Sequence, residues 1–131
     1  EFDESQTKKP DNLMKIVYKE PGKPAFEAEV VKSLEAEQKA VGGYIEPVYN
    51  DDGTIIICNE EGKLIGMKGN IHLDNGTSII AGSFFVCGDD GEDFCSLTEE
   101  QTEKYINKYS EPEDISDDET QSDVGFTMTT F

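Results

Sequence analysis

The sequence predicts one α+β domain, in which two helices pack against a mostly antiparallel sheet and a flexible acidic C-terminal tail follows. Three observations predict this fold class. Thr54–Cys58 is largely apolar and β-branched, which is typical of a central strand buried on both faces. Leu34–Val41 and Glu99–Tyr109 each follow an N-capping residue, as amphipathic helices do. Ile79–Cys87 is a second apolar run and indicates a long buried strand.

Composition divides the 131 residues into three parts. Residues 1–13 are polar and aperiodic, so we expect a leader or residues added for expression, with Met14 as the natural start. Residues 14–110 contain the predicted elements and form the single domain. Residues 111–131 hold seven acidic residues and no lysine, which is typical of disorder. Truncation after Ser110 is therefore expected to lower the free energy of unfolding by less than about 1 kcal/mol.

The first two predicted strands lie close together in the sequence. Apolar and polar residues alternate around Lys15–Tyr18, and they alternate again along Phe26–Val31. Pro21 and Pro24 separate the two segments. Because proline is disfavoured in tight hairpins between paired strands, we expect a wide loop here.

The first helix has clear signals at both ends. Ser33 is a good N-cap for Leu34–Val41, and Gly42–Gly43 supplies a left-handed C-cap. Gln38 lies on the apolar face of this helix. A buried amide needs hydrogen-bond partners, so we expect Gln38 to have a structural role near Gly42.

A hairpin is predicted next, with strands Tyr44–Tyr49 and Thr54–Cys58 joined by the Asn50–Gly53 turn. Gly62 helps to form the turn that follows the second strand. The segment Leu64–Leu73 is ambiguous because two glycines interrupt it.

The last elements are a bent strand, a short strand and a helix. Gly82 is expected to introduce a bend or bulge into Ile79–Cys87. A short strand is expected at Asp93–Ser96, and Thr98 with Gln101 forms a capping box at the start of the second helix. The predicted core consists of Ile16, Val30, Leu34, Val41, Ile45, Ile55, Ile57, Leu64, Ile80, Phe84, Val86 and Ile106.

Charge restricts the classes of partner. The net charge is −18, and all eleven basic residues are lysine. Phosphate recognition usually relies on the bidentate arginine side chain, so direct binding of DNA or RNA is not expected. An acidic domain of this kind is suited to a protein partner with a basic surface, to which it would imitate nucleic acid. The simpler alternative is that the charge only maintains solubility.

The cysteines and the hydropathy favour a cytoplasmic protein. Cys58, Cys87 and Cys95 are odd in number and form no Cys-x-x-Cys pair, so reduced thiols are expected. A disulfide between Cys87 and Cys95 across a hairpin is the alternative, and it requires an oxidising compartment. No apolar run is long enough to span a bilayer, so no membrane association is expected.

Six blocks of the sequence follow one another in a recognisable order: Glu20–Pro24, Ser33–Lys39, Val41–Glu46, Asn59–Leu64, Gly82–Val86 and Ser96–Glu100. With these blocks, about residues 14–110 resemble the family known as domain of unknown function 3846. The resemblance implies a small cytosolic protein of a bacterial phage, plasmid or other mobile element, and it implies no reaction.

One loop is the candidate ligand site. Asn59, Glu60, Glu61 and Lys63 bring an amide, two carboxylates and an ammonium to the end of a strand, with Tyr44 nearby in the hairpin. These groups would suit a small molecule, a nucleotide or a small enzyme's substrate. The competing interpretation is an ordinary turn whose acids face water. Residues assigned only structural roles are Ser33, Gln38, Gly42, Gly43, Gly62 and Thr98.

Other chemical motifs are missing from the sequence. His72 is the only histidine and has no nucleophile or orienting acid at a recognisable spacing, so a surface or loop position is expected. The acidic turn Asp89–Asp93 lacks the ligand pattern of a calcium loop. No catalytic residue, metal or cofactor is therefore predicted. We expect a non-enzymatic interaction protein, in which self-association through a sheet edge at Ile79–Val86 is an open alternative.

Overall fold

A computed structural model describes residues 12–73 and 78–123 of the chain. The sequence also predicts a turn at Asp74–Gly76, and this turn lies outside the described residues. Nearly all of the leader and the end of the tail, residues 124–131, lie outside them as well. In the described part, the elements are β1 Leu13–Lys19, β2 Phe26–Val31, α1 Leu34–Val41, β3 Ile45–Tyr49, β4 Thr54–Asn59, β5 Gly69–His72, β6 Ile79–Ala81, β7 Phe84–Asp89, β8 Phe94–Cys95, α2 Glu99–Lys108 and α3 Asp117–Ser122.

The strands form two antiparallel sheets. The larger sheet has the order β2-β1-β7-β4-β3, and β8 pairs with β7 at one end. The smaller sheet consists of β5 and β6. The predicted α+β class, with a mostly antiparallel sheet, is therefore confirmed. No helix in the described segments is long and apolar enough to cross a membrane.

The central strands β4 and β7 of the larger sheet are buried on both faces, which explains why they are nearly all apolar. One face packs against α1, and the other packs against α2 and the smaller sheet. The first face contributes Met14, Ile16, Val41, Ile55, Ile57, Phe85 and Cys87. The second contributes Val17, Ile56, Cys58, Phe84 and Val86, which meet Ile71, Ile80, Tyr105 and Tyr109.

The predicted helix ends and hairpin are confirmed. Ser33 accepts a hydrogen bond from the Ala36 amide at 3.1 Å, and Gly42 ends α1 with φ 81°. Thr98 and Gln101 form both halves of the capping box. In the hairpin, β3 and β4 pair in register from Ile45–Asn59 to Tyr49–Ile55.

The apolar run Ile79–Cys87 is two strands, so the prediction of one long strand is wrong. Gly82 has φ 85° and lies between β6, in the smaller sheet, and β7, in the larger one. A Cβ at Gly82 would lie 2.5 Å from the Met67 sulfur. At Gly82 the chain therefore passes from the smaller sheet to the larger one, where β7 lies between β1 and β4. The apolar strand β7 is therefore not a free edge for self-association.

Two residues were wrongly predicted to be in the core. Leu34 is 58% exposed and Leu64 is 69% exposed. Leu34 is the first residue of α1, and Leu64 lies in the loop after β4, so both lie at the margins of the packed elements.

The pairing of β8 also separates two cysteines. Gly88, rather than Cys87, lies opposite Cys95. Because neighbouring residues of a strand point to opposite faces, the Cys87 and Cys95 side chains leave the sheet on different sides. Both are free thiols, as is Cys58.

The prediction of an unstructured tail is wrong for residues 111–123. Ile115 is 1% exposed, and the α3 residue Thr120 is also 1% exposed. Both contact the β5 residue Gly69, where a Cβ would lie 2.5 Å from the Thr120 hydroxyl and 2.9 Å from the Ile115 methyl Cγ2. Ser116 caps α3 by accepting a hydrogen bond from the Glu119 amide. One buried isoleucine and a set of polar contacts thus hold the C-terminal segment, residues 113–123, on the smaller sheet.

Candidate functional site

Asn59, the last residue of β4, organises the loop that follows it, residues 60–65. Its amide nitrogen donates to the Val41 carbonyl at 3.2 Å, and its side-chain oxygen accepts from the Glu61 amide at 2.7 Å. A Cβ at Gly43 would lie 2.7 Å from the Asn59 amide nitrogen, so the glycine makes room for this contact. Asn59 is 7% exposed. Its amide is occupied in joining α1 to the loop, which leaves it little capacity to bind a ligand.

Gly62 lets the same loop lie close against the smaller sheet. It is buried, and a Cβ there would lie 2.5 Å from the Ala81 carbonyl oxygen. Only glycine allows this approach of the two backbones. The loop, the edge of the larger sheet and β6 therefore enclose a space between them.

This space is a cavity of about 380 Å³, here called the inner cavity. Its apolar walls include Val48, Leu64, Leu73, Ile79 and Ile80. Its polar lining includes Glu46, Cys58, Glu60 and Lys63.

Strand register places Glu46 toward the inner cavity. It is paired with Cys58, so their side chains lie on the same face of the sheet, together with Val48. Burial and the negative charge of Glu46 together raise the pKa of the Cys58 thiol to about 12, and the positive charge of Lys63 partly opposes the shift. The thiol is therefore protonated at neutral pH and is a poor nucleophile.

The charges around the inner cavity do not balance. The Lys63 ammonium lies 2.7 Å from the Asp123 carboxylate, which also accepts a hydrogen bond from the Ile79 amide at 2.8 Å. Burial alone would raise the pKa of Asp123, but the Lys63 contact and the amide bond lower it. Among the described residues, Glu46 and Glu60 have no ion-pair partner. The lining is therefore net negative.

A second, shallower space of about 230 Å³ lies on the other side of Asn59 and is here called the outer cavity. Tyr44, Glu61 and Ile65 line it with Gln38, Gly42 and Gly43. Gln38 is half-buried, and its backbone carbonyl accepts hydrogen bonds from the amides of Gly42 and Gly43.

The sequence-predicted site residues thus divide between two spaces. Glu60 and Lys63 line the inner cavity, Tyr44 and Glu61 line the outer one, and Asn59 forms the wall between them. These residues all lie around the loop that follows β4, but they do not converge on one point.

The rim of the two cavities is apolar and exposed. Six large apolar side chains of the described residues are exposed, and three of them flank these cavities. Tyr44 is 67% exposed, Leu64 is 69% exposed and Ile65 is 58% exposed. We call this region the loop face, defined by Tyr44, Glu46, Glu60, Glu61, Leu64 and Ile65. Exposed apolar groups rimmed by charged ones are typical of an interaction site.

A second acidic surface lies elsewhere on the domain. An open groove of about 500 Å³ is lined by Glu27 of β2 and by the α2 residues Glu99, Glu100 and Glu103. We call it the α2 groove. It has little apolar lining besides Ile106, which makes it a weaker candidate than the loop face.

His72 has partners that the sequence did not reveal. Its Nδ1 lies 2.6 Å from the Glu113 carboxylate and its Nε2 lies 2.6 Å from the Glu119 carboxylate. A neutral imidazole donates through only one nitrogen, so two carboxylate partners favour the imidazolium. The contacts with Glu119 and Glu113 raise the pKa of His72. The histidine ties the C-terminal segment to the end of β5.

We predict that His72→Gln destabilises the fold most at mildly acidic pH. Because the folded-state pKa is raised, the stabilisation by His72 is fully present below its unfolded pKa of about 6.5 and is lost as pH rises through the folded pKa. Urea unfolding of both proteins from about pH 5.5 upward will measure the difference. The difference in the free energy of unfolding between wild type and variant should become smaller as pH rises. Parallel pH profiles would contradict this assignment.

No group of three His, Cys, Asp or Glu side chains that could hold a metal ion occurs in the described segments. Around the loop face, the Asn59 amide is engaged, the Cys58 thiol is protonated and the Lys63 ammonium is paired. The arrangement is better suited to binding than to chemistry.

The family described as a domain of unknown function, DUF3846, has a model that matches residues 14–110. The chain therefore belongs to this family. No curated protein and no solved structure matches it.

Proposed function

We propose that this member of the DUF3846 family is a non-enzymatic binding protein that acts in the bacterial cytoplasm on a protein with a basic surface. The observation that carries the proposal is the loop face. Three exposed apolar side chains surround two cavities there, and three carboxylates accompany them. Apolar anchors inside a charged rim are what specific protein interfaces use for affinity and selectivity.

Charge supports a basic partner. The net charge of −18 without any arginine would repel nucleic acid and accelerate association with a cationic protein. In its sharpest form, the proposal is a DNA mimic that occupies the nucleic-acid-binding surface of its target. A setting in a phage or mobile element, implied by the sequence resemblance, would make a host protein or a protein of the element the target.

Binding through side chains fits the structure better than strand addition. β3 is an edge strand. Backbone hydrogen bonds join Tyr44 to Glu60 and Asn50 to Thr54, so the even-numbered residues between them direct their backbone groups toward β4 and the odd-numbered ones direct theirs toward the open edge. Pro47 therefore lies at a position whose backbone faces the open edge. Proline has no amide hydrogen to donate, so Pro47 interrupts the row of donors that an added strand would need.

The proposal predicts salt-sensitive capture of a partner. The immobilised chain should retain a specific basic protein from host lysate at about 50 mM salt and lose most of it at about 500 mM, because salt screens exposed charges. An unrelated acidic protein of similar net charge is the control for nonspecific ion exchange. Absence of a specific partner at low salt would count against the function.

A small-molecule site is the second candidate, and the volume of the inner cavity favours it. Its volume of about 380 Å³ lies within the range of ordinary ligand sites. Native mass spectrometry of the purified protein would test it. A stoichiometric bound metabolite that is lost when the cavity wall is altered at Ile80→Trp would support this candidate over the protein partner.

A further inference from the structure

We infer that the inner cavity receives a lysine or arginine side chain of the partner, an inference that rests on the proposed function. The cavity opens beside the loop face and combines apolar walls with a net negative polar lining. A long cationic side chain has the same two parts, an aliphatic stem and a charged end.

The walls match the stem. Val48 extends from the edge strand and Leu64 from the loop. Ile80 extends from β6 and Leu73 directly follows β5, so apolar surfaces border the space on three sides. Lysine and arginine bury their methylene groups along such surfaces while the charge stays near polar groups. A short polar ligand would leave these walls without contacts.

The charged groups of the cavity lining favour a positively charged ligand. Lys63 is already neutralised by Asp123 at 2.7 Å, whereas Glu46 and Glu60 have no described ion-pair partner. Glu46 is close enough to Cys58 for its charge to raise the thiol pKa, which places a negative charge on the cavity side of β3. A phosphate or carboxylate would meet these two carboxylates, so the lining disfavours anionic ligands, including nucleotides.

The test uses blocked pentapeptides with one central residue between glycines. The central residue is lysine, arginine or Nε-acetyllysine, and binding to the full chain is followed by amide chemical shifts. We expect the lysine and arginine peptides to shift Val48, Leu64 and Ile80 at millimolar concentration. The acetylated peptide should bind at least about fivefold more weakly, because it lacks the charge.

Paired variants separate the cavity from general acidity. Glu46→Gln should weaken the cationic peptides by about threefold to tenfold. Glu92→Gln, in the exposed turn Asp89–Asp93, removes the same charge elsewhere and should leave binding unchanged. Unfolding curves of the two variants confirm that both are folded.

Three results would overturn the inference: equal binding of the acetylated peptide, no effect of Glu46→Gln, or shifts confined to the α2 groove. The experiments distinguish failure of this inference from failure of the proposed function. Capture of a basic partner without peptide binding in the cavity would reject the inference alone. Charge-selective binding in the cavity without any captured partner would support the cation preference and reject the protein-binding function.

Discussion

Replacing Ile115 by alanine is expected to lower the free energy of unfolding by about 2–5 kcal/mol, the usual cost of emptying a buried isoleucine site. Ile115 is 1% exposed and packs beside Gly69 of the smaller sheet. It is the only aliphatic side chain of residues 113–123, so the rest of that segment cannot replace its contacts. Equilibrium urea unfolding will measure the loss.

The matched control for Ile115→Ala is Glu111→Gln, a change of exposed charge shortly before the segment. It should alter stability by less than about 0.5 kcal/mol. Truncation after Ser110 should then be at least as damaging as Ile115→Ala, because it also removes the Asp123 contacts with Lys63 and Ile79. A truncated protein as stable as the full chain would show that the C-terminal segment is not part of the fold.

Leu64→Ser is expected to weaken binding of the captured partner by about tenfold to a hundredfold, the range of an interface hot spot. Leu64 is 69% exposed, so the free protein should keep its stability. It is central to the loop face, where it borders the inner cavity and follows Lys63. Binding is measured by titration of the purified partner.

Leu34→Ser is the matched control for Leu64→Ser. Leu34 is 58% exposed, and it begins α1 rather than lining either cavity of the loop face. The same loss of apolar surface there should leave affinity within about twofold of wild type. Equal losses from both variants would mean that general hydrophobicity, and not the loop face, drives binding.

Local patterns in the sequence predicted local structure well. Ser33, Gly42 and Thr98 mark helix ends because capping depends on a few adjacent residues. The β3–β4 hairpin was predictable because its turn and its β-branched second strand adjoin in the chain. The two-sided burial of β4 followed from its unbroken apolar pattern.

Most of the failures concern contacts between distant parts of the chain. An apolar run cannot show that Gly82 divides it between two sheets, since that depends on which distant strands pair with β6 and with β7. The spacing of Ser116 and Glu119 was a capping signal within the acidic tail, but composition outweighed it in the prediction. His72 and its two carboxylate partners are 41 and 47 residues apart, so no local motif joins them.

The candidate site was predicted by position but not by arrangement. The loop 59–63 does border a cavity, as loops after strands often do. That Asn59 would divide Glu60 and Lys63 from Tyr44 and Glu61 depends on its bond to Val41, a contact across 18 residues. The cavity itself requires the smaller sheet, whose strands were not predicted as a separate unit.

Amide hydrogen exchange of the chain, free and bound to its captured partner, tests the central claim most directly. Binding through the loop face predicts added protection at residues 44–46 and 59–65, with little change at residues 99–106 of the α2 groove. Protection confined to residues 99–106, with the loop face exchanging as in the free protein, would contradict it.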